Sequence, residues 1–453
     1  PYRYSYGRSL SGNGFFYFPE PTPGEENSSG EHTLSDSPDA SADPGIYDDI
    51  TGLTVSLTAP EGSEIYYTTD GSWPSFASAK YEAPLDLTAT TIIRAFSVSP
   101  GSVPSNTVTL PYIINEGHTL PVVSLTLDRA DLYGSSGIIT IPESESEKYG
   151  NITFLDTDGS SFTMDCGVSL YGSLSRFTNY KKSFKLRFRS LYGDSRLHYD
   201  LYDDCDVESF SSLVLRNSQD YPLSFFREEL MTTLVQDCSD ELLTAPTRYC
   251  SLYLNGQYYG IFALKEAFSE AFYAEHKDYP EETCRCVRVI DVLEEGPDLY
   301  EIMRYANRND LSDPDAYAYV SSQVDVDSAI DWIIFEAYCA NSDILNNVRY
   351  MQSTQDNIWH YVFYDLDWSM YTHYTMAPLD PEEQFSMIPR GLLQNPEFRD
   401  RFLKRLAYLL GTTLSDENVL ARIDELTREL EPEMPRERQT WEGSMDGWYY
   451  RIG

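Results

Sequence analysis

Long apolar runs are missing from this chain of 453 residues, and no segment has the ~18 consecutive apolar residues of a membrane-spanning helix. It opens on PYRYSYGRSL, with neither a basic leader region nor an apolar one, so any signal or anchor is expected to lie upstream or to have been cut away. Positive charge is scarce: 33 Lys and Arg face 72 Asp and Glu, a net charge of −39. Such a surface repels nucleic acid and anionic lipid, and both are disfavoured as partners. The same excess attracts divalent cations in general, so an isolated acidic pair carries little meaning. Seven Cys, at 166, 205, 238, 250, 284, 286 and 339, include no CxxC pair, which argues against a zinc ribbon and a disulfide scaffold and for buried thiols. Six His, at 32, 118, 198, 276, 360 and 373, show no metal-ligand spacing, which speaks against histidine-based hydrolysis. The P-loop, GxGxxG, HRD, DFG, HExxH and GxSxG patterns are absent too. What remains is carboxylate, amide and basic chemistry.

The organisation along the chain changes character three times. Residues 28–47, with the tract SSGEHTLSDSPDASADPG, are poor in apolar side chains and are expected to be a linker. From 48 to 115 short β-rich runs, LTVSLTA, SEIYYTTD, TTIIRAFSVS and NTVTLPYII, alternate with turn signals, which predicts a small antiparallel sandwich. Tyr66, Tyr67 and Trp73 there are candidates for stacking on a sugar, although aromatics in strands more often serve the core. From 118 to the end an α+β pattern follows. Strands are expected at GIITI, NITFLD, GVSLYG, KSFKLRFR, SLVLRN and RYCSLYLNG, before helices take over. Ser224 is placed to cap a helix in SFFREELMTTLVQD, and Asp325 or Asp327 to cap the apolar-periodic helix of VDVDSAIDWIIFEAYCAN.

Candidate chemistry concentrates where that last helix ends. NSDILNNVRY is followed by YDLDW, and the intervening RYMQSTQDNIWHYVFY alternates around a polar turn. A β-hairpin here brings Asp343, Asn346 and Asn347 close to Asp365 and Asp367. Carboxylate and amide oxygens from two neighbouring loops suit Mg2+, and one carboxylate can position a hydroxyl nucleophile. Cations for phosphate are expected in SRFTNYKKSFKLRFR, where Lys185, Arg187 and Arg189 share one strand face and Lys182 lies on the other. Arg216, Arg227 and Glu228 are further candidates, although each taken singly suits a structural ion pair. Asp365-Leu366-Asp367 also reads as a DxD motif, which keeps a metal-dependent glycosyltransferase open as another class.

The ordered series SLYGSLSRFTNYKKSFKLRFRSLYGDSRLHYDLYDD, SFSSLVLRNSQDYPLSFFREEL, APTRYCSLYLNGQYYGIFALKEAFSEAF, NSDILNNVRY and YVFYDLDW is similar to the spore-coat protein H (CotH) family of atypical protein kinases, over residues 118–453. GSEIYYTTDGSWPS with AKYEAPLDLTATTIIRAF resembles the fibronectin-like module found beside chitobiase and hexosaminidase domains, and GRSLSGNGFFYF with PTPGEEN, within residues 1–27, resembles the end of a lamin-tail domain. The resemblance implies an atypical protein-kinase-like α+β fold behind a small all-β sandwich. It implies transfer of the ATP γ-phosphate, with Mg2+ or Mn2+, to Ser or Thr of secreted, surface or spore-coat proteins outside the cytoplasm. By position, Asp343 matches the catalytic Asp, Asn347 or Asn346 the metal-binding Asn, and Asp365 the Asp that plays the DFG role. Lys182 and Lys185 match the basic strand, and Glu266 the acidic residue after the LNGQYYG hairpin. The competing reading is a non-catalytic coat scaffold that binds protein or glycan.

Overall fold

The computed structural model describes residues 5–8, 14–18, 22, 24–27, 32–143, 145–203, 205–217, 220, 223–441 and 443–452. The chain forms two units, one of residues 1–177, 184–195 and 249–262, the other of residues 178–183, 196–248 and 263–453.

The first unit begins, within the expected lamin-tail stretch, with an antiparallel hairpin of Ser5–Arg8 and Phe15–Phe18; residues 1–4, 9–13, 19–21 and 23 of that stretch are not among those described. The β-rich region forms a five-stranded sheet in the order Gly45–Tyr47, Val108–Ile114, Thr91–Val98, Glu64–Thr68 and Ala79–Lys80. Its alternate side chains point inward, and Ile65, Ile93, Ala95, Tyr112 and Ile114 pack with Val55, Leu57 and Leu87 into one core.

The linker expectation for 28–47 needs correction over its described part. Thr33–Leu34, Asp39–Ala40 and Gly45–Tyr47 are strands, paired with Ser102–Val103, Leu57–Thr58 and Val108–Ile114 respectively. Low apolar content misled because these strands are held by backbone pairing and hydroxyl bonds, such as Ser35 Oγ donating to the Val103 carbonyl at 2.7 Å. Residues 28–31 lie outside the described residues.

Nor is Trp73 free for a sugar. It is stacked under the Arg94 guanidinium at 3.7 Å and against Tyr149 at 5.2 Å. Arg94 is fully buried, donates to the Gly71 carbonyl and Thr109, and burial lowers its pKa to about 10. Tyr66 stacks on Phe96 at 5.5 Å, and Tyr67 meets Tyr81 edge-on.

Further along this unit, Val122–Leu127 pairs antiparallel with Lys148–Leu155, which pairs with Ser161–Tyr171. The basic strand is shorter than expected, Ser183–Arg187, and Arg187 and Arg189 both reach Glu147, at 3.2 and 3.4 Å. The strand Thr247–Leu254 turns through Asn255 (φ 49°) and Gly256 (φ 77°) into Gln257–Glu266. Two successive left-handed residues make the tight turn that Asn-Gly favours.

The second unit is mainly helical and carries the C-terminal part of the mixed α/β chain. Helices Pro297–Arg308, Pro314–Ser321 and Pro396–Gly411 each start on a proline, whose missing N–H costs nothing in the first turn. Val326–Cys339 is capped by Asp325, whose carboxylate accepts from the Ser328 N–H, as expected. Ser224 does not cap Arg227–Gln236. Its hydroxyl donates to Asp220 at 2.7 Å, and Phe226 stands at the helix start without a side-chain cap. The expected hairpin is present: Arg349–Ser353 pairs with His360–Val362, with Tyr350 opposite Tyr361, and Cys284–Arg288 adds a third strand. All seven cysteines are free thiols, with Cys166, Cys250, Cys284 and Cys339 buried. Among the described residues no helix is long and apolar enough to cross a membrane.

Candidate active site

The site in the second unit starts from the end of helix Val326–Cys339. Ten of its fourteen residues are buried, so its end is firmly placed, and Ala340 (φ 46°) turns the chain out of the helix. Asn341 then accepts the Asp343 N–H on its side-chain oxygen at 3.0 Å, the turn that Asn forms readily. Two further bonds tie this loop to the second acidic segment: the Ser342 hydroxyl donates to the Trp368 carbonyl at 2.8 Å, and the Met370 N–H to the Cys339 carbonyl at 2.7 Å. The hairpin and these ties bring Asp343 and Asp365 together. Burial and then the charge of Asp365 push the Asp343 carboxyl up, with a bond from Asn347 opposing them. Asn347 directs its amide N–H at both the Asp343 carbonyl (3.0 Å) and carboxylate (3.1 Å). Asp365 has φ 62°, an unfavourable conformation for a residue with a Cβ and one concentrated at functional sites. The side chain of Asn346 is outside the described residues.

Behind these acids lies an ion-pair network. Arg216 donates to Asp365 and, at 3.1 Å, to Asp367, while its Nε lies 2.9 Å from Glu228. Lys265, which sequence reasoning passed over, bridges Glu228 at 2.8 Å and Glu229 at 2.9 Å. Strand register explains which residues join. Arg216 stands opposite Ala263 and Val214 opposite Lys265, so Arg216 and Lys265 share one sheet face. Glu266, one residue on, points to the other face and its carboxylate accepts from His276 Nε2 at 2.8 Å. It therefore does not join the cluster, although ALKEAF had drawn attention to it. Burial opposes ionisation of Glu228, but Arg216 and Lys265 outweigh it and hold the carboxyl well below its usual range. Burial likewise opposes the Lys265 charge, and the two glutamates outweigh it.

Arg227 pairs with Asp220 at 3.5 Å and lies 3.9 Å over the Tyr371 ring. Lys182 is buried, which lowers its pKa, and Lys185 belongs to the first unit, on Ser183–Arg187. Lys181, beside it in sequence, is fully buried on Glu437 at 2.7 Å.

A second missed residue is Glu336, fully enclosed in helix Val326–Cys339. Burial raises its pKa to about 8, opposed only in part by the neighbouring Asn341 side chain. Its place among Ile330, Ile333, Ile334 and Ala337 in an apolar stripe was the available signal. Glu336 thus backs the amide that holds the Asp343 turn. Between its ordinary value of 4.5 and about 8, only the folded state keeps the proton, so this stabilisation is full below 4.5 and fades as pH rises to 8. From pH 6 to 7.5 the protein is expected to lose ~2 kcal/mol through this group. Glu336→Gln, which cannot ionise, should flatten that decline in urea titrations at the two pH values; an unchanged slope would show that Glu336 does not titrate there.

Chains that share these sequence features form a recognisable class. The family of CotH kinase proteins matches residues 168–290 and 291–449, and the chain belongs to it. The chitobiase/beta-hexosaminidase C-terminal domain matches residues 42–109, over the β-sandwich. No curated protein matches the chain.

Proposed function

We propose that the second unit is an ATP- and divalent-metal-dependent protein kinase of atypical kinase-like fold, acting on Ser or Thr of secreted, surface or spore-coat proteins outside the cytoplasm. The observation that carries this reading is the arrangement around Arg216. Glu228, Glu229, Asp365 and Asp367 gather around Arg216 and Lys265, a cluster of hard oxygen donors drawn from one helix and one loop. That donor set fits Mg2+ or Mn2+, and Asp365, Asp367 and the Asn347 amide oxygen are the groups that would hold the ion. When bound with ATP, the ion supplies neutralisation of phosphate charge.

The chain's own residues supply the rest. Asp343, at the solvent edge and with a raised pKa, is a stronger base than an ordinary aspartate and accepts the proton of a substrate hydroxyl. Asn347 holds that carboxylate in orientation. Lys265, fixed by Glu228 on the neighbouring helix, is the lysine–glutamate pair expected to meet nucleotide phosphate. A surface glycan is the partner proposed for the sandwich module, where Tyr66 and the exposed Phe76 meet at 5.3 Å.

The grip of Arg216 on both Asp365 and Asp367 favours a second reading, a coat scaffold without turnover. A thermal-shift titration separates the two. Mg-ATP is expected to raise the melting temperature by several degrees at saturation, since a ligand of the native state stabilises it. No shift with either metal, together with no transfer of labelled phosphate, would leave the scaffold.

A further inference from the structure

A second cluster lies at the opposite end of helix Val326–Cys339. Glu241, Asp325 and His360 each place one ligand atom within 4.8 Å of the others. They come from three separate segments: the loop after helix Arg227–Gln236, the cap of Val326–Cys339, and the first residue of His360–Val362. The His360 side chain is only 9% exposed, and its Nδ1 has no hydrogen-bond partner while lying 3.6 Å from Glu241 Oε2. A buried ring nitrogen with no partner is costly, and it is aimed at the two carboxylates.

We propose that Glu241, Asp325 and His360 form a structural site for a first-row transition-metal dication, with Zn2+ as its representative. One imidazole and two carboxylates suit zinc or manganese, whereas magnesium and calcium prefer oxygen alone. Asp325 uses Oδ1 for the Ser328 N–H, and Lys277 lies 2.8 Å from Glu241 Oε2 and 3.0 Å from the Asp240 carbonyl. The two carboxylates and His360 Nδ1 are the donors that face the ion, and Glu241 Oε2, the oxygen beside His360, is shared with Lys277. Bound there, the ion pins the start of the helix whose other end presents Asp343, ~21 Å away at 1.5 Å per residue over its fourteen residues. The site does not depend on phosphoryl transfer.

The test is metal stoichiometry of the full chain after dialysis against Zn2+ and then metal-free buffer, read by elemental mass spectrometry, with melting temperature alongside. One retained equivalent and a raised melting temperature are expected, both lost in His360→Gln and in Asp325→Asn, the latter keeping the helix cap because Asn caps as well as Asp. Asp365→Asn should keep the equivalent, which separates this ion from any ion at the candidate active site. Loss in Asp365→Asn with retention in His360→Gln would overturn the proposal. So would no retained zinc in the parent chain, in which case Lys277 is the cluster's cation.

Discussion

Lys265→Ala is expected to destabilise the second unit by about 3–5 kcal/mol, the range for breaking a buried ion pair by removing one partner. Glu228 and Glu229 are both almost fully enclosed, and Lys265 is the cation the two share. Without it Glu229 is left facing no charge that the ion pairs describe, and Glu228 keeps only Arg216. The effect has a sign in pH as well as a size. In the parent protein the depressed Glu228 pKa gives stability that is present above 4.5 and lost as pH falls towards the folded value. In the variant Glu228 keeps Arg216 but loses the Lys265 share of that stabilisation while its burial remains, so the margin by which the parent is the more stable should be larger at pH 7 than at pH 3. Urea titrations of both proteins at those two pH values measure this. Lys265→Ala/Glu229→Gln should recover part of the loss, and full stability in Lys265→Ala alone would show that the bridge contributes nothing. Under the proposed function the same variant also loses nucleotide-dependent stabilisation.

Lys265 shows what sequence could not supply. ALKEAF presents a lysine and a glutamate side by side, and nothing in the string says which one faces helix Arg227–Gln236. Register decides: Val214 opposite Lys265 fixes the face, and Glu266 falls to His276 on the other side. Basic residues show the same limit. A run such as KKSFKLRFR advertises charge, yet Arg187 and Arg189 share Glu147 and Lys181 is consumed by Glu437, 256 residues away along the chain. Acidic partners in so acidic a protein are everywhere in the sequence, so pairing is decided only by the fold.

The Asp343 and Asp365 juxtaposition, by contrast, was legible. Its parts are local: an apolar stripe with an Asp cap, a two-residue period, and a polar turn at STQDN. Each sets a short segment without help from distant residues, and together they fix where both loops must end. Glu241, Asp325 and His360 lie at the other extreme. Single ligands drawn from three segments leave no spacing to read, so a count of histidines without metal-ligand spacing says nothing about such a cluster.

Asp343→Asn is expected to lower phosphate transfer on the order of 10²–10⁴-fold while leaving the melting temperature almost unchanged, the range for loss of a general base. The substitution is nearly isosteric, Asp343 sits at the solvent edge, and the new amide oxygen still accepts from Asn347. What it removes is basicity, which burial and the Asp365 charge had raised. Asp365→Asn should behave differently. It weakens the oxygen set for a dication, so the Mg-ATP thermal shift is expected to disappear together with transfer, whereas Asp343→Asn keeps the shift and loses transfer alone. Arg216 makes this contrast sharper, because Asp365→Asn also frees the guanidinium from one carboxylate and leaves it on Asp367 and Glu228. Labelled ATP with either metal, followed by mapping of phosphorylated Ser and Thr, reads transfer, and retained labelling in Asp343→Asn would remove Asp343 from the role of base.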